Sequence, residues 1–401
     1  MNRIVVAGGG LAGISTARGL RKLGYAGELT IVGAERHRSY DRPPLSKEFL
    51  AGTVDVADIS LELPGEDLGL RWRLGVAAVS LGPTREVGLS DGSRLPADGV
   101  VVATGAVPRW LPAGRQLPAG VHVLRTLEDS TTLRADLRAG GRLAVVGAGF
   151  IGAEVASTAS RLGLRVDVVE VDPVPLRFAL GEQMGAAVAA LHERNGVRLH
   201  CGVGVSGLLG TGRVSGVALA DGREVTAGTV VIGIGVTPAT DWLRSSGIDV
   251  GSDGVRCDAA GATSLPGVVA VGDCSTWLDP ATGRHERIEH WTAARDRGVV
   301  AAATLLGVTP PKPRHGGLPY FWSDQYGKRI QFAGRICPDV DVEEGSIDAG
   351  SFLAVYRRDG TPVGVLGMDR PRAFVAWRRR LAAPPIGGQA TASADAAPGT
   401  P

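Results

Sequence analysis

The sequence predicts an α/β fold with two parallel-sheet units and a smaller C-terminal α+β region. Two glycine-rich turns predict the pair of units, because each lies between a short apolar run and a helical pattern. The turns span residues 8–13 and 147–152. From about Pro310 onward, short alternating segments replace this repeat and predict antiparallel strands.

The individual elements follow from the same patterns in chain order. Apolar runs bounded by turn residues predict buried strands at residues 4–7, 28–32, 100–103, 165–169, 230–234 and 268–271, with one more strand beginning at Leu143. Helical spacing of apolar residues predicts helices at residues 14–23 and 153–162. The C-terminal region is predicted to form strands at residues 330–333 and 352–356 and a helix at residues 373–381.

Both turns have the Gly-x-Gly-x-x-Gly spacing that binds the pyrophosphate of a dinucleotide. The first glycine permits the tight turn, the second lets the backbone approach the phosphates, and the third lets helix and strand pack closely. The residues concerned are Gly8, Gly10, Leu11, Ala12 and Gly13 in the first turn, and Gly147, Gly149, Phe150, Ile151 and Gly152 in the second. Two dinucleotide sites in one chain indicate a flavin enzyme that receives electrons from a nicotinamide.

An acidic residue ends the second strand of each unit, as a ribose partner would. Glu35 is the candidate for the first site and Glu170 for the second. No basic residue directly follows Glu170, and a carboxylate repels the 2′-phosphate of NADP, so NADH is the expected nicotinamide. The alternative for either residue is a solvated acid at the end of a strand.

A loop between the first unit's strands carries Arg42 and Lys47 around a diproline. Fixed positive charge there would stabilise a flavin pyrophosphate and an anionic reduced ring. A basic surface loop is the alternative interpretation.

The bulk composition excludes several classes of protein. The 401 residues carry a net charge of +2, which does not suggest a nucleic-acid partner. The four cysteines, Cys201, Cys257, Cys274 and Cys337, form no C-x-x-C pair, which argues against a redox dithiol, a zinc site and an iron–sulfur cluster. With no membrane-length apolar run and no leader pattern, we expect a cytoplasmic protein without a metal and without membrane contact.

Five further motifs make the chain resemble a known family. They occur in the order Arg42-Pro43-Pro44-Leu45-Ser46-Lys47, Ala103-Thr104-Gly105, Val271-Gly272-Asp273, Glu289-His290-Trp291 and Tyr320-Phe321-Trp322-Ser323-Asp324-Gln325. Residues 2–380 thereby resemble the FAD-dependent, NAD(P)H-coupled ferredoxin reductases of bacterial oxygenase systems. Two mild departures are Ser39, where the family usually has proline, and Ala148, where glycine is common.

The resemblance implies a glutathione-reductase-like fold and a division into domains. The FAD-binding domain would comprise residues 1–107 and 237–312, the NAD-binding domain residues 108–236, and a C-terminal interface domain residues 313–386. The remaining residues, 387–401, are mostly Ala, Gly, Ser, Thr and Pro, and their composition predicts a disordered tail.

The resemblance also implies roles for individual residues. FAD would be bound by the first glycine turn together with Glu35, Arg42, Lys47, Ala103, Thr104, Arg109, Gly272, Asp273, Glu289, His290 and Trp291. NADH would be bound by the second glycine turn with Glu170 and Gly235. Lys47 and Glu154 would pair beside the flavin and the nicotinamide, as the catalytic residues.

The resemblance implies an NADH:ferredoxin oxidoreductase that serves an oxygenase, and we expect a haem monooxygenase. Flavin suits this task because it accepts two electrons from NADH and passes them singly to an iron–sulfur protein. The alternatives are an NADH oxidase that reduces oxygen directly and a redox-sensing FAD/NADH-binding protein. A disulfide reductase is excluded, because no cysteine precedes Cys201 and one would have to lie near Leu45.

The expected partner is an acidic iron–sulfur ferredoxin, and the chain itself is expected to be a monomer or a weak dimer. The densest basic cluster comprises Arg370, Arg372, Arg378, Arg379 and Arg380 and is the candidate docking surface. A solvated helix face is the alternative. Trp322 lies either near the flavin and the electron exit or in ordinary packing.

Overall fold

Parallel strands joined by helices form most of the chain in the computed structural model, which describes residues 1–112, 117–280, 282–311 and 317–383. The predicted tail, residues 387–401, lies outside the described residues. The α-helices are α1 (Leu11–Lys22), α2 (Glu48–Ala51), α3 (Leu127–Arg138), α4 (Phe150–Arg161), α5 (Arg177–Arg194), α6 (Trp291–Leu306) and α7 (Pro371–Ala382). Short 3₁₀ turns span Pro43–Ser46, Ala57–Ile59 and Asp241–Leu243.

The strands are numbered in chain order. Those before α4 are β1 (Arg3–Ala7), β2 (Glu28–Gly33), β3 (Leu70–Leu74), β4 (Ala78–Leu81), β5 (Val87–Leu89), β6 (Arg94–Leu95), β7 (Gly99–Val102), β8 (Ala106–Pro108), β9 (Val121–His122) and β10 (Arg142–Val146). Those between α4 and α6 are β11 (Arg165–Glu170), β12 (Arg198–Cys201), β13 (Val205–Leu209), β14 (Gly216–Leu219), β15 (Glu224–Thr226), β16 (Thr229–Ile232), β17 (Val236–Pro238), β18 (Val250–Gly251), β19 (Gly254–Cys257), β20 (Val268–Ala270), β21 (Ser275–Asp279) and β22 (Arg284–Glu286). Those after α6 are β23 (Tyr320–Gln325), β24 (Lys328–Gly334), β25 (Asp339–Ser346), β26 (Ser351–Arg358) and β27 (Thr361–Met368).

Two parallel sheets share the same order in four of their five strands, and their edge strands β20 and β9 come from different places in the chain. Within the described ranges, the first has five strands in the order β20-β7-β1-β2-β3, and the second has five in the order β12-β11-β10-β16-β9. Strands β1 and β10 are central, and each begins a strand–turn–helix segment that leads to the next strand in the same sheet. The two units therefore repeat each other, as the paired glycine turns predict.

The side chains of β10 show why this strand is apolar throughout. Leu143 and Val145 pack in one core cluster with α3 and α4, while Ala144 and Val146 pack in another with β14 and β15. Because successive residues of a strand point to opposite faces, a strand covered on both faces must be continuously apolar. Strand β1 has the same character, and its core includes residues of α1, α6, β4 and β5.

The first sheet is assembled from two distant parts of the chain. Strand β20 pairs in parallel with β7, so the segment after β19 returns to the sheet that β1 begins. The two crossings between the units also pair with each other: β8 lies antiparallel to β17, with Val107 opposite Thr237. This arrangement agrees with a discontinuous first unit, while the domain boundaries themselves remain a prediction.

The C-terminal region is an antiparallel sheet between two helices. Its strand order is β23-β24-β27-β26-β25. One face packs against α5, with Phe332 and Tyr356 in the same cluster as Leu180 and Met184. The other face packs against Phe374 of α7.

The predicted elements are confirmed, with small shifts at their ends. The largest shift is in the helices after the glycine turns, which begin three residues earlier than the apolar spacing indicates, at Leu11 and Phe150. Gly10 and Gly149 are the N-caps, so the turn itself forms the first helical residues. The antiparallel sheets β4-β5-β6 and β13-β14-β15 were not predicted, because their strands are short and only partly apolar.

Among the described residues, no helix is both long enough and apolar enough to cross a membrane.

Two glycines of one turn give a test of the packing. We expect Gly152→Ala to lower the free energy of unfolding by about 1–3 kcal/mol, because its Cβ would lie 2.1 Å from the carbonyl oxygen of Gly147. Gly149→Ala is the matched control, since a Cβ there has no atom within 4 Å. Urea denaturation without added nucleotide measures both. Equal stability of Gly152→Ala and the unaltered protein would contradict the packing argument.

Candidate active site

The first glycine turn lies where the strand order of its sheet reverses, between β1 and β7. Gly8, which has a φ of +122°, lies against the chain leaving β7: a Cβ there would be 2.0 Å from the carbonyl oxygen of Ala103 and 3.0 Å from the amide of Thr104. A Cβ on Gly272 would lie 2.9 Å from the Cβ of Ala12. A reversal of strand order leaves a crevice at the carboxyl ends of the strands, and ligands of such sheets bind there.

The second turn has the same position between β10 and β16. Gly147 has a φ of +101°, and a Cβ on it would lie 2.4 Å from the carbonyl oxygen of Gly233. Gly235 follows at the mouth of this crevice, and its carbonyl oxygen accepts a hydrogen bond of 3.0 Å from the amide of Arg109. Thus, Arg109 belongs to the connection between the units, where its Nε also donates to the carbonyl oxygen of Val236 at 3.1 Å.

Both crevices fit a pyrophosphate. Gly10 and Gly149 face open space, with no atom within 4 Å of the position a Cβ would take. Each is the N-cap of a twelve-residue helix and offers no side chain to the free amides of the first turn. Such amides bind anions. Leu11 and Phe150 begin these helices, and Ile151 beside Phe150 remains 44% exposed.

The acid at the first crevice is held by its neighbours. One oxygen of Glu35 accepts a hydrogen bond from Nη2 of Arg42 at 2.7 Å, and the other accepts one from the hydroxyl of Tyr40. Burial raises the pKa of Tyr40, so this hydroxyl remains a donor. Arg42 also donates to the carbonyl oxygen of Arg125. Ser39 is buried and donates to the carbonyl oxygen of Gly9 at 2.7 Å, which fixes the loop to the glycine turn.

A second group of charges lies at the same edge. Asp273 forms a salt bridge with Arg125, 2.9 Å between Nη2 and Oδ2. Glu289 forms one with Arg287 at 2.8 Å, and burial raises the pKa of Glu289. The charges of Asp273 and Arg42 interact, and Glu289 lies close enough to Asp273, Arg125 and Arg109 to interact with theirs. Arg125 adds to the residues that the sequence indicates.

Glu170 occupies the corresponding place at the second crevice. Its Oε2 accepts a hydrogen bond of 2.6 Å from the amide of Ala148, and its Oε1 accepts one of 3.0 Å from the amide of Asp172. The carboxylate is therefore fixed beside the glycine turn. Val171, the residue directly after it, is 70% exposed.

A buried ion pair joins the loop that carries Arg42 to helix α4 of the second unit. Nζ of Lys47 lies 2.6 Å from Oε2 of Glu154, and both side chains are less than a tenth exposed. Lys47 follows the 3₁₀ turn at Pro43–Ser46, and Glu154 is in the second turn of α4. Glu154 also accepts hydrogen bonds from the hydroxyls of Ser46 and Ser323, at 2.6 and 2.7 Å.

Aromatic side chains line the far side of this junction. His290 and Phe150 both pack on Phe321, with ring centroids 5.2 and 4.6 Å apart respectively. Burial lowers the pKa of His290 to about 4, so the ring is neutral at pH 7, and its Nδ1 has no partner in the described part of the chain. Trp291 donates from Nε1 to Asp41 at 2.7 Å.

Trp322 lies next to these aromatic side chains, between two other rings. Its centroid is 6.0 Å from those of both Trp291 and Tyr320. Arg378 in turn stacks on Tyr320 at 4.0 Å. Trp322 therefore connects Trp291 to Tyr320, on which Arg378 of α7 stacks.

Sequence reasoning missed several residues that the fold brings to the site. Arg125, Ser46 and Ser323 have no local motif of their own. Ser46 and Ser323 lie inside quoted motifs, but only their contact with Glu154 identifies their role. Arg125 directly precedes the N-cap of α3, which is a structural signal rather than a functional one.

Comparisons with known proteins agree with this geometry. The model of the pyridine nucleotide-disulphide oxidoreductase family matches residues 2–298, and a reductase C-terminal domain matches residues 320–398. The benzene 1,2-dioxygenase system ferredoxin–NAD(+) reductase subunit of Pseudomonas putida is 36% identical over 386 residues, which are 95% of this chain and 93% of the relative.

Two solved structures have the same fold over almost the whole chain. The covalent putidaredoxin reductase–putidaredoxin complex matches with a TM-score of 0.89 and 30% identity, over 95% of this chain and 93% of the other. The ferredoxin reductase for the CYP199A2 system from Rhodopseudomonas palustris matches with a TM-score of 0.88 and 32% identity, over 94% of each chain.

The two crevices, the ion pair between them and these matches lead to one conclusion. The protein is a flavoprotein oxidoreductase whose cofactors are FAD and NAD(P)H. The chain belongs to the pyridine nucleotide-disulphide oxidoreductase family and carries the reductase C-terminal domain.

Proposed function

We propose that this chain transfers electrons from NADH through FAD to a small iron–sulfur ferredoxin that serves an oxygenase. The observation that carries the proposal is the buried Lys47–Glu154 pair, which links the loop that carries Arg42 to helix α4 behind the second glycine turn. A disulfide reductase needs a cysteine there, whereas this segment is Leu45-Ser46-Lys47 and no cysteine precedes Cys201. The similarity to ferredoxin reductases over nearly the whole chain supports the same conclusion.

The residues at the first crevice suit FAD. The turn at Gly8, Gly10 and Gly13 would take its pyrophosphate, Glu35 its ribose, and Asp273 its ribityl chain. Ala103 and Thr104 would line the dinucleotide, with Glu289, His290 and Trp291 toward the ring. When bound, FAD supplies the capacity to take two electrons and release them one at a time.

The chain's own residues orient the reactants and set the local charge. The Gly147 turn and Glu170 would hold NADH, and Gly235 would admit the nicotinamide closely. Lys47 provides positive charge that favours a reduced, anionic ring, and Glu154 fixes that charge in place. Hydride transfer from NADH to FAD would need no protein acid or base, so the chain's residues would only have to bind and orient the two cofactors.

The finer identity of the partners is part of the proposal. Relatives serve a dioxygenase system and a CYP199A2 system, so the comparisons do not separate oxygenase classes. A haem monooxygenase, an iron–sulfur partner, a cytoplasmic location and a monomeric or weakly dimeric state remain our predictions. The low cysteine content supports the location, since all four cysteines are unpaired.

The first test separates the proposed reaction from its alternatives. We expect the yellow holoprotein to oxidise NADH rapidly only when a small iron–sulfur ferredoxin is present, measured as ferredoxin bleaching under anaerobic conditions. Oxygen-electrode rates without ferredoxin should be much lower. Rapid oxygen consumption without ferredoxin would favour an NADH oxidase, and slow turnover with every acceptor would favour a redox sensor.

The second test concerns the choice of nicotinamide. We expect kcat/KM to favour NADH over NADPH, because the fixed carboxylate of Glu170 repels a 2′-phosphate. Glu170→Arg should reduce or reverse the preference, by about 1–3 kcal/mol in transition-state binding. Glu170→Gln is the control, since it removes the charge and keeps the shape. Equal kcat/KM values for both nucleotides in the unaltered enzyme would contradict the assignment.

The contacts of the basic cluster in and beside α7 support its role as a docking surface at the proposed electron exit. Arg378 stacks on Tyr320, which leads through Trp322 and Trp291 toward the flavin crevice. Arg378 is therefore partly structural, whereas Arg372 and Arg379 are exposed. An acidic partner approaching this surface would be attracted by them.

The third test concerns this docking surface. We expect Arg372→Glu with Arg379→Glu to raise the KM for ferredoxin and to weaken its dependence on salt, because steering depends on long-range charge. Ferricyanide reduction should change little. Arg161→Glu with Arg165→Glu is the control, since it makes the same change in net charge at exposed residues of the second unit. An unchanged KM at low salt would mean that ferredoxin docks elsewhere. Arg36, Arg38 and Arg329 would then be the next candidates for the docking surface.

A further inference from the structure

A strand of the C-terminal sheet lies along the helix that carries Glu154. Strand β23 packs against α4, and this strand and the residue that follows it make hydrogen bonds to α4 at two places. The hydroxyl of Ser323 donates to Oε1 of Glu154 at 2.7 Å. Three residues further along the strand and the helix, the amide of Tyr326 donates to the hydroxyl oxygen of Ser157 at 2.7 Å. The C-terminal region therefore contacts the ion pair directly.

The carboxylate of Glu154 has one set of donors on each oxygen. Lys47 and Ser46 both donate to Oε2, each at 2.6 Å, and among the described residues Ser323 alone donates to Oε1. Glu154 is only 3% exposed, so water does not replace a lost donor easily. Hydrogen bonds to a buried charge are among the stronger ones in proteins. Ser323 thus holds the side of the carboxylate that the first unit does not reach.

Gln325 determines which way the hydroxyl of Ser323 points. Its Nε2 donates to the hydroxyl oxygen of Ser323 at 3.0 Å, and both residues are fully buried. Because that hydroxyl has one proton, accepting from Gln325 leaves the proton free for Glu154. Oε1 of Gln325 has no partner in the described part of the chain, which is unfavourable for stability. Because Gln325 orients Ser323 although its own Oε1 is left without a partner, its role is to position Ser323 rather than to stabilise the packing.

We propose that Ser323 and Gln325 are positioning residues that hold Glu154 against Lys47. The C-terminal sheet would then contribute to electron entry from NADH as well as to docking of the acceptor. The inference rests on the proposed function, in which the Lys47–Glu154 pair lies beside the flavin and the nicotinamide. Without Ser323, the carboxylate would spend less time against Lys47, and the positive charge of Lys47 would be held less firmly in place.

The test uses the holoenzyme and two readouts. We expect Ser323→Ala to slow flavin reduction by NADH about tenfold in anaerobic single turnover, the scale of one hydrogen bond to a charge. The flavin midpoint potential should shift to a more negative value, since a Lys47 held less firmly beside the ring stabilises the reduced form less. Gln325→Met should change both quantities in the same direction and by less, and it provides the test should the Ser323→Ala protein not fold.

The matched control lies in the same contact region between β23 and α4. Ser157→Ala removes the acceptor for the amide of Tyr326 but touches neither Glu154 nor Lys47. We expect it to leave the potential and the reduction rate close to those of the unaltered enzyme. If Ser157→Ala and Ser323→Ala have equal effects, the contact between β23 and α4 affects the rate and the potential only through protein stability. That result would overturn the inference.

A double-mutant cycle with Glu154→Gln separates this inference from the proposed function. If Ser323 acts through Glu154, adding Ser323→Ala to Glu154→Gln should change the rate and the potential little further. If the double variant slows reduction by the product of the two single factors, the positioning role is refuted. The proposed function would still stand. If Glu154→Gln alone changes neither readout, the role assigned to the ion pair in the proposed function fails instead.

Discussion

The buried ion pair between Lys47 and Glu154 is the interaction on which the site depends. Withdrawing two charges from water is unfavourable, and only close contact and added hydrogen bonds offset it. Here Lys47 also donates to the carbonyl oxygen of Pro43 at 2.8 Å, and Glu154 is bonded on both oxygens. Removing one member of such a pair typically costs about 3–5 kcal/mol, so the groups that meet at Glu154 are strongly held in one arrangement.

That arrangement explains why three parts of the chain are needed for one site. Ser46 and Lys47 come from the first unit, Glu154 from the second and Ser323 from the C-terminal sheet. Parallel sheets place their ligand crevices at reversals of strand order, and the two reversals supply two crevices independently of each other. The ion pair links the two units that contain these crevices. The C-terminal sheet contacts the ion pair through Ser323.

Much of the fold could be predicted from sequence because its signals are local. The glycine turns, the apolar runs of β1 and β10 and the helices after them are each specified within a few residues, and all are confirmed. The partners of the site could not be found in this way. Ser323 is 169 positions from Glu154, and Arg125 is 148 positions from Asp273. Only tertiary packing joins them, and a serine or arginine in isolation has no distinctive pattern.

The pairing of β8 with β17 bears on the modular construction of the protein. Because Val107 lies opposite Thr237, the chain enters and leaves the second unit through one antiparallel ribbon. A segment whose ends are adjacent can be exchanged or lost without separating the strands around it, as successful domain insertions show. The second unit is thus inserted as a separate segment. A hairpin that replaced it could still let the chain complete the first sheet.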